Sequence, residues 1–249
     1  MTDMPTKAWL DLYAQKSALL APAADLNEYF TAKEICGLKM DLLPMGTVTI
    51  PTGRVLVCDP LVYLHESSGT YFSPVPIGTF PLTAAVVLLE EDHARYAAVM
   101  ASFSDQTPVR FVEALIGNEN LAELHEDEYF GFNVDAGLGT IVDAAARDAW
   151  REFHADWNKE HPDGNIYDDF FAEEFRNSRK KHPKYQRDDG DWINWTIPGT
   201  DLSIPMFQSG FGDGTYPVYF GYDKSGAICR LVIHFINIAL EIEGDDSEE

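Results

Sequence analysis

Three glycines at alternate positions, Gly210, Gly212 and Gly214, lie inside the segment Ser209-Gly210-Phe211-Gly212-Asp213-Gly214-Thr215-Tyr216-Pro217-Val218-Tyr219-Phe220-Gly221-Tyr222-Asp223. Glycine tolerates positive φ and close backbone approach, so this loop has two readings. Either it presents its amides or the Asp213 carboxylate to a ligand, or it is a tight turn in which Asp213 accepts from its own backbone amides. It is not a dinucleotide fingerprint. That motif needs a helix after the glycines, whereas Pro217 and the aromatic residues beyond it predict a strand.

Other chemistry-bearing residues are less telling. Asp163, Asn165 and Glu174 take the first, third and twelfth positions of a calcium loop. Tyr167, however, stands where an oxygen ligand belongs and Asp168 where glycine is required, which excludes an EF-hand. His154 and His161 carry no HExxH spacing, so no helical zinc site is expected. Cys58 and His234 are the residue types of a nucleophile pair, yet a lone cysteine in an apolar, strand-like run reads as a small core residue. Six of the 18 basic residues fall between Arg176 and Arg187, beside His182 and just before Asp188-Asp189-Gly190-Asp191. This run either holds a phosphate or an acidic strip, or it favours a helix C-terminus and is neutralised by its acidic neighbours.

These residues need elements to position them. Apolar side chains at helical spacing (Trp9, Leu12, Tyr13, then Leu26, Tyr29, Phe30) predict two short helices between Thr6 and Ile35, broken at Pro22, and a helical N-terminal arm over 1–45. From Thr47 the chain turns β-branched and is punctuated by Pro and Gly. Strands are expected around Val48–Val57, Thr79–Leu89, Tyr96–Phe103, Val109–Val112, Phe130–Val134 and Thr140–Val142. Asp143–His161, with Trp150, Phe153 and Trp157 on one stripe, predicts a helix, and Asp168–Lys181 a second, giving a helical insertion over 143–187. Trp192–Leu240 returns to strands, and the acidic stretch 241–249 reads as a disordered tail. The expected fold class is α+β, a single domain over 1–240 built mainly on antiparallel β-sheet. Gly78-Thr79-Phe80-Pro81 and Gly214-Thr215-Tyr216-Pro217 echo one another, which four residues cannot raise to a repeat.

Several of these segments, taken in order, resemble the landmarks of a bacterial domain of unknown function, family 4241. They are Gly53-Arg54-Val55 with Cys58-Asp59-Pro60, Gly78-Thr79-Phe80-Pro81, Gly131-Phe132-Asn133-Val134-Asp135-Ala136-Gly137 with Asp143, and Ser209 to Asp223, a span of roughly Thr47 to Phe235. The resemblance implies landmarks more than chemistry, together with an association with bacterial conflict systems. The family tends to end this region on Asp-Phe, whereas this chain has His234-Phe235 and so lacks a carboxylate there. The landmarks gather Asp59, Asp135, Asp143, Asp213 and Asp223 into one set. Carboxylates from separate loops hold hard cations such as Mg²⁺ or Ca²⁺, which can activate water. Asp143 is equally the N-cap of the following helix, and Asp59 a turn residue before Pro60.

Charge narrows the function classes. With 41 acidic and 18 basic side chains among 249 residues, the net charge is -23. Such a surface repels phosphate backbones, so nucleic-acid binding is not expected and a basic protein partner is. Cys36, Cys58 and Cys229 are odd in number, far apart and free of CxxC spacing, and no signal core or membrane span is apparent. A reduced, cytoplasmic protein is the expectation. Two functions follow. The first is an acidic binding protein of the immunity or antitoxin kind that neutralises a basic toxin and needs no cofactor, its binding candidates being Asp59, Asp135, Asp143, Gly212, Asp213, Gly214, Tyr216 and Asp223. Trp192, Trp195 and Phe211 are its expected aromatic contacts. The second is a hydrolase using Mg or Ca on Asp135, Asp143 and Asp213.

Overall fold

A computed structural model describes residues 4–65, 69–90 and 93–245. The N-terminal arm forms α1 (Lys7–Gln15) and α2 (Leu26–Thr31). Thr6 and Asp25 cap them by accepting from the amides of Trp9 and Asn27, each satisfying a donor the helix itself leaves open. The helical arm is shorter than expected: β1 (Glu34–Ile35) and β2 (Leu38–Ile50) already occupy its last third. Here Pro44 and Gly46 interrupt the strand pattern in sequence, but tertiary pairing absorbs them in a register shift between Pro44 and Thr47. Gly46 has φ +84°, and a Cβ there would meet Asn194 Nδ2 at 2.7 Å. That amide instead donates to the carbonyls of Met45 and Thr47.

The chain continues through β3 (Val55–Cys58), β4 (Gly78–Glu90), β5 (His93–Ser102), β6 (Arg110–Glu113), β7 (Phe132–Val134) and β8 (Leu138–Asp143). Then come α3 (Ala144–Glu160), a π-helical turn at Tyr167–Phe171, and α4 (Ala172–Lys181). After this helical insertion follow β9 (Trp192–Thr196), β10 (Ser203–Gln208), β11 (Gly214–Tyr216), β12 (Val218–Tyr222), β13 (Ile228–His234) and α5 (Ile238–Asp245). Among the described residues the strands form three sheets, of seven, four and two strands. Their orders are β1-β2-β4-β5-β13-β12-β6, β3-β8-β10-β9 and β11-β7, with every pairing antiparallel. The fold is therefore α+β on mainly antiparallel sheet.

One core lies on the large sheet, where Ala84 to Val87 and Ala97 to Val99 are fully buried as continuous apolar runs. A second forms where α3 and α4 cover the four-stranded sheet. Trp150, Phe171, Phe175 and Trp195 pack there, with Trp150 and Trp195 rings edge to face at 5.9 Å. A third joins the N-terminal arm, through Trp9, Leu12 and Tyr13, to Val112 and Leu121.

Three expectations are corrected. Trp192 and Trp195 are 5% and 8% exposed, so they belong to the interior and not to a contact surface; Phe211, at 54%, is exposed as expected. Strand does not continue to Leu240, because β13 stops at His234 and α5 begins at Ile238. The tail expected to be disordered from Glu241 is helical as far as Asp245, and 246–249 lie outside the described residues.

Candidate functional site

The glycine-rich loop meets the loop before β8. The two-stranded ribbon pairs Gly214 with Val134, Thr215 with Asn133 and Tyr216 with Phe132. Gly131, at φ +56°, starts the ribbon where a Cβ would meet the Tyr216 carbonyl oxygen at 2.6 Å, so only glycine fits. Asp213 Oδ1 accepts from the amide of Gly137 at 3.1 Å. It therefore staples one loop to another through this oxygen, while the side chain stays exposed. The glycine loop closes itself by other means. Ser209 Oγ and Tyr216 Oη both donate to the Gly212 carbonyl at 2.8 Å, and the Tyr216 ring meets Phe235 edge to face at 5.0 Å.

Asp59 holds the same junction from beneath. It is wholly buried. Its Oδ1 accepts from the amides of Leu61 and Val62, as a turn residue should, while Oδ2 accepts from those of Asp135 and Ala136. Burial pushes this carboxyl up, and the four amides oppose that by favouring its ionised form. The Asp135 side chain is exposed and accepts from the Tyr63 hydroxyl.

Asp59, Asp135 and Asp213 thus meet around residues 135–137, and the other two aspartates do not join them. Asp143 lies at the far end of β8, roughly 20 Å of strand away. It is buried, caps α3 through the amide of Ala145, and accepts from the amide and hydroxyl of Thr52. Asp223 lies beyond the other end of β12, where it accepts from Ser225 and Ala227 in the turn to β13. Its carboxyl is held below the ordinary range, first by the Ser225 hydroxyl. The trio Asp135, Asp143 and Asp213 is consequently not a metal site, and among the described residues no group of three or more His, Cys, Asp or Glu is placed to hold a metal ion. Cys58 is buried in the second core, where burial raises its thiol, and His234 packs on Tyr29 at 4.9 Å, so the two make no nucleophile pair.

A cavity of about 590 Å³ opens beside the ribbon, lined by Glu123, Leu124, Glu128, Tyr129, Phe130 and Thr215. Tyr129, 45% exposed, donates its hydroxyl to the Thr215 carbonyl at 3.0 Å and so fixes one wall to the ribbon. The stretches 111–146 and 188–223 contain no lysine or arginine, and the N-terminal arm brings Lys16 here, which donates to the Leu124 carbonyl at 2.9 Å. Under the cavity, Glu113 at the end of β6 is 2% exposed and accepts from the amides of Phe130 and Gly131 at 2.8 Å. Burial raises its carboxyl to about 7 against those two amides. Sequence reasoning missed Glu113. The available signal was an acid directly after Phe111-Val112 and before Ala114-Leu115-Ile116, a charge inside an apolar run.

Residues 48–233 match the family model described as Protein of unknown function (DUF4241). The chain belongs to this family. No curated protein and no solved structure matches it. The matched span runs from β2 to the end of β13 and so contains the ribbon, the 590 Å³ cavity and all five aspartates. No helix among the described residues is long and apolar enough to cross a membrane.

Proposed function

We propose that this chain is a binding protein that captures a cationic protein on its acidic, aromatic end, as an immunity or antitoxin protein neutralises a basic toxin. The cavity beside Tyr129 carries the reading. Glu123 and Glu128 flank an aromatic ring in a concave site whose lining residues are all without positive charge, and the neighbouring Lys16 is spent on the Leu124 carbonyl at 2.9 Å. A lysine or arginine side chain entering there gains a carboxylate partner and a ring face together. Exposed Phe211 and Tyr129 supply the apolar contact that a rim of charges lacks. A net charge of -23 also draws a cationic partner from a distance. The hydrolase reading is the weaker one, since it needs Asp135, Asp143 and Asp213 in one pocket.

The test compares wild-type protein with Glu123→Gln/Glu128→Gln and with Tyr129→Ala. A partner recovered from the native cell is followed by surface-binding kinetics across a salt series. The charge variant should slow association most at low salt, and the difference should vanish as the Debye length falls from about 10 Å at 0.1 M to about 3 Å at 1 M. Tyr129→Ala should instead speed dissociation. A partner bound equally by all three proteins, or an association rate flat across the series, defeats the proposal.

A further inference from the structure

The basic run of the sequence leads to a second site. α4 ends in Arg179, Lys180 and Lys181, and much of the remaining charge is neutralised: Arg179 pairs with Asp188 at 2.6 Å and Lys184 with Asp41 at 2.7 Å. Arg187 differs, because it faces a second arginine. A cavity of about 390 Å³ between β5 and the turn 185–191 is lined by His93, Arg95, Tyr185, Gln186, Arg187 and Asp191, with Leu88 and Ala94.

We propose that this cavity is an oxyanion site that takes the phosphoryl group of a small phosphorylated molecule between the Arg95 and Arg187 guanidiniums.

The turn that carries Arg187 is fixed before any ligand arrives. Asp191, whose side chain is 6% exposed, accepts from Arg187 Nε at 2.8 Å and Nη2 at 2.6 Å. Gln186 Oε1 accepts from the amides of Asp191 and Trp192, and its Nε2 donates to the His182 carbonyl. Tyr185 sits at φ +55°, a conformation rare for a residue with a side chain. Tyr96 holds it there by donating to its carbonyl at 2.9 Å, while its own hydroxyl donates to Asp41 at 2.7 Å. Such strain persists only where surrounding contacts enforce it, and it clusters at functional sites.

Arg95 approaches from the opposite wall. Among the described residues its guanidinium meets one neutral acceptor, the Ala94 carbonyl at 3.1 Å, and no carboxylate bonds it. Burial and then the neighbouring Arg187 charge pull it below its ordinary value. Among the described residues that line the cavity, two arginines face one carboxylate, Asp191, and that carboxylate is bonded to Arg187. Asp191 takes Nε and Nη2 of Arg187, whereas a tetrahedral phosphoryl group can offer oxygens both to the Arg95 fork and, from another direction, to the remaining Nη1 of Arg187. The cavity has room for that group and a small organic remainder.

The probe is inorganic phosphate, titrated calorimetrically into the full chain. Malonate serves as the carboxylate counterpart, and sodium chloride at matched ionic strength as the screening control. Phosphate should bind and raise the melting temperature above the chloride control, with malonate at least about tenfold weaker. Arg95→Gln should weaken phosphate at least about tenfold, by loss of one charge-assisted fork. Arg95→Lys, which keeps the charge and loses the fork, should fall between the two. Lys224→Gln, an equal charge change in the turn between β12 and β13, should bind as wild type does. Phosphate no better than chloride, malonate as tight as phosphate, or unchanged affinity in a folded Arg95→Gln protein would each overturn the proposal.

Discussion

The ribbon end and the Arg95–Arg187 corner use their charges in opposite ways. At the ribbon, Asp59 is consumed by backbone amides, and the acids that reach solvent are Asp135 and Asp213 together with Glu123 and Glu128 of the neighbouring loop. At the corner the carboxylate Asp191 is consumed, and what remains is cationic. In both places a buried aspartate builds the frame, and further charged groups line the cavity beside it. The chemistry of a charged residue is thus set by how many bonds its own fold has already claimed.

The comparison is broken most severely at Asp59. Replacing it with alanine strips the acceptor from four amides around a fully buried site, and denaturant melts should show a loss of about 3 kcal/mol or more. A cost below about 1 kcal/mol would mean that the junction holds without it.

Glu113 comes next and gives the comparison a pH axis. Its folded value, about 7, lies above the ordinary 4.5, so the native state binds the proton more tightly than the unfolded chain does. The stability this contributes is fully present below pH 4.5 and is lost as pH rises through 7. Glu113→Gln keeps an oxygen acceptor for Phe130 and Gly131 and cannot ionise. It should match wild type near pH 4 and exceed it by about 3 kcal/mol near pH 8. Parallel stability curves for the two proteins across that range would remove Glu113 as the titrating group.

Asp213→Ala should cost about 1 kcal/mol, the worth of one bond between loops. Since Asp213 spans two loops, amide exchange should quicken at Gly137 as well as in 209–215. Quickening confined to 209–215 would show that the staple carries nothing to the second loop. The smallest effect belongs to Asp223→Ala. Its exposed turn lies away from the ribbon, so its melting temperature should fall least of the three, and partner kinetics should stay at the wild-type values.

The sequence alone determined much of the fold. Both arm helices and the α3 and α4 segments were legible because each has a local 3.6-residue pattern, with caps or Pro and Gly to bound it. The strands were legible from β-branched runs between turn residues. The roles of Asp143 as a helix cap and Asp59 as a turn residue were readable for the same reason, since both bond amides within three residues. What only the tertiary structure decided involves partners far apart in the chain. Asp213 bonds an amide 76 residues away, Asp59 reaches amides 76 and 77 residues away, and Glu113 accepts from residues 17 and 18 positions on. Trp192 and Trp195 looked like surface anchors because aromatic residues suit both interfaces and cores, and a one-dimensional pattern does not say which face another layer will cover. Arg95 gave no signal at all. Its meaning comes from Arg187, 92 residues on, and periodicity carries no information on which charges the packing of distant elements will bring face to face.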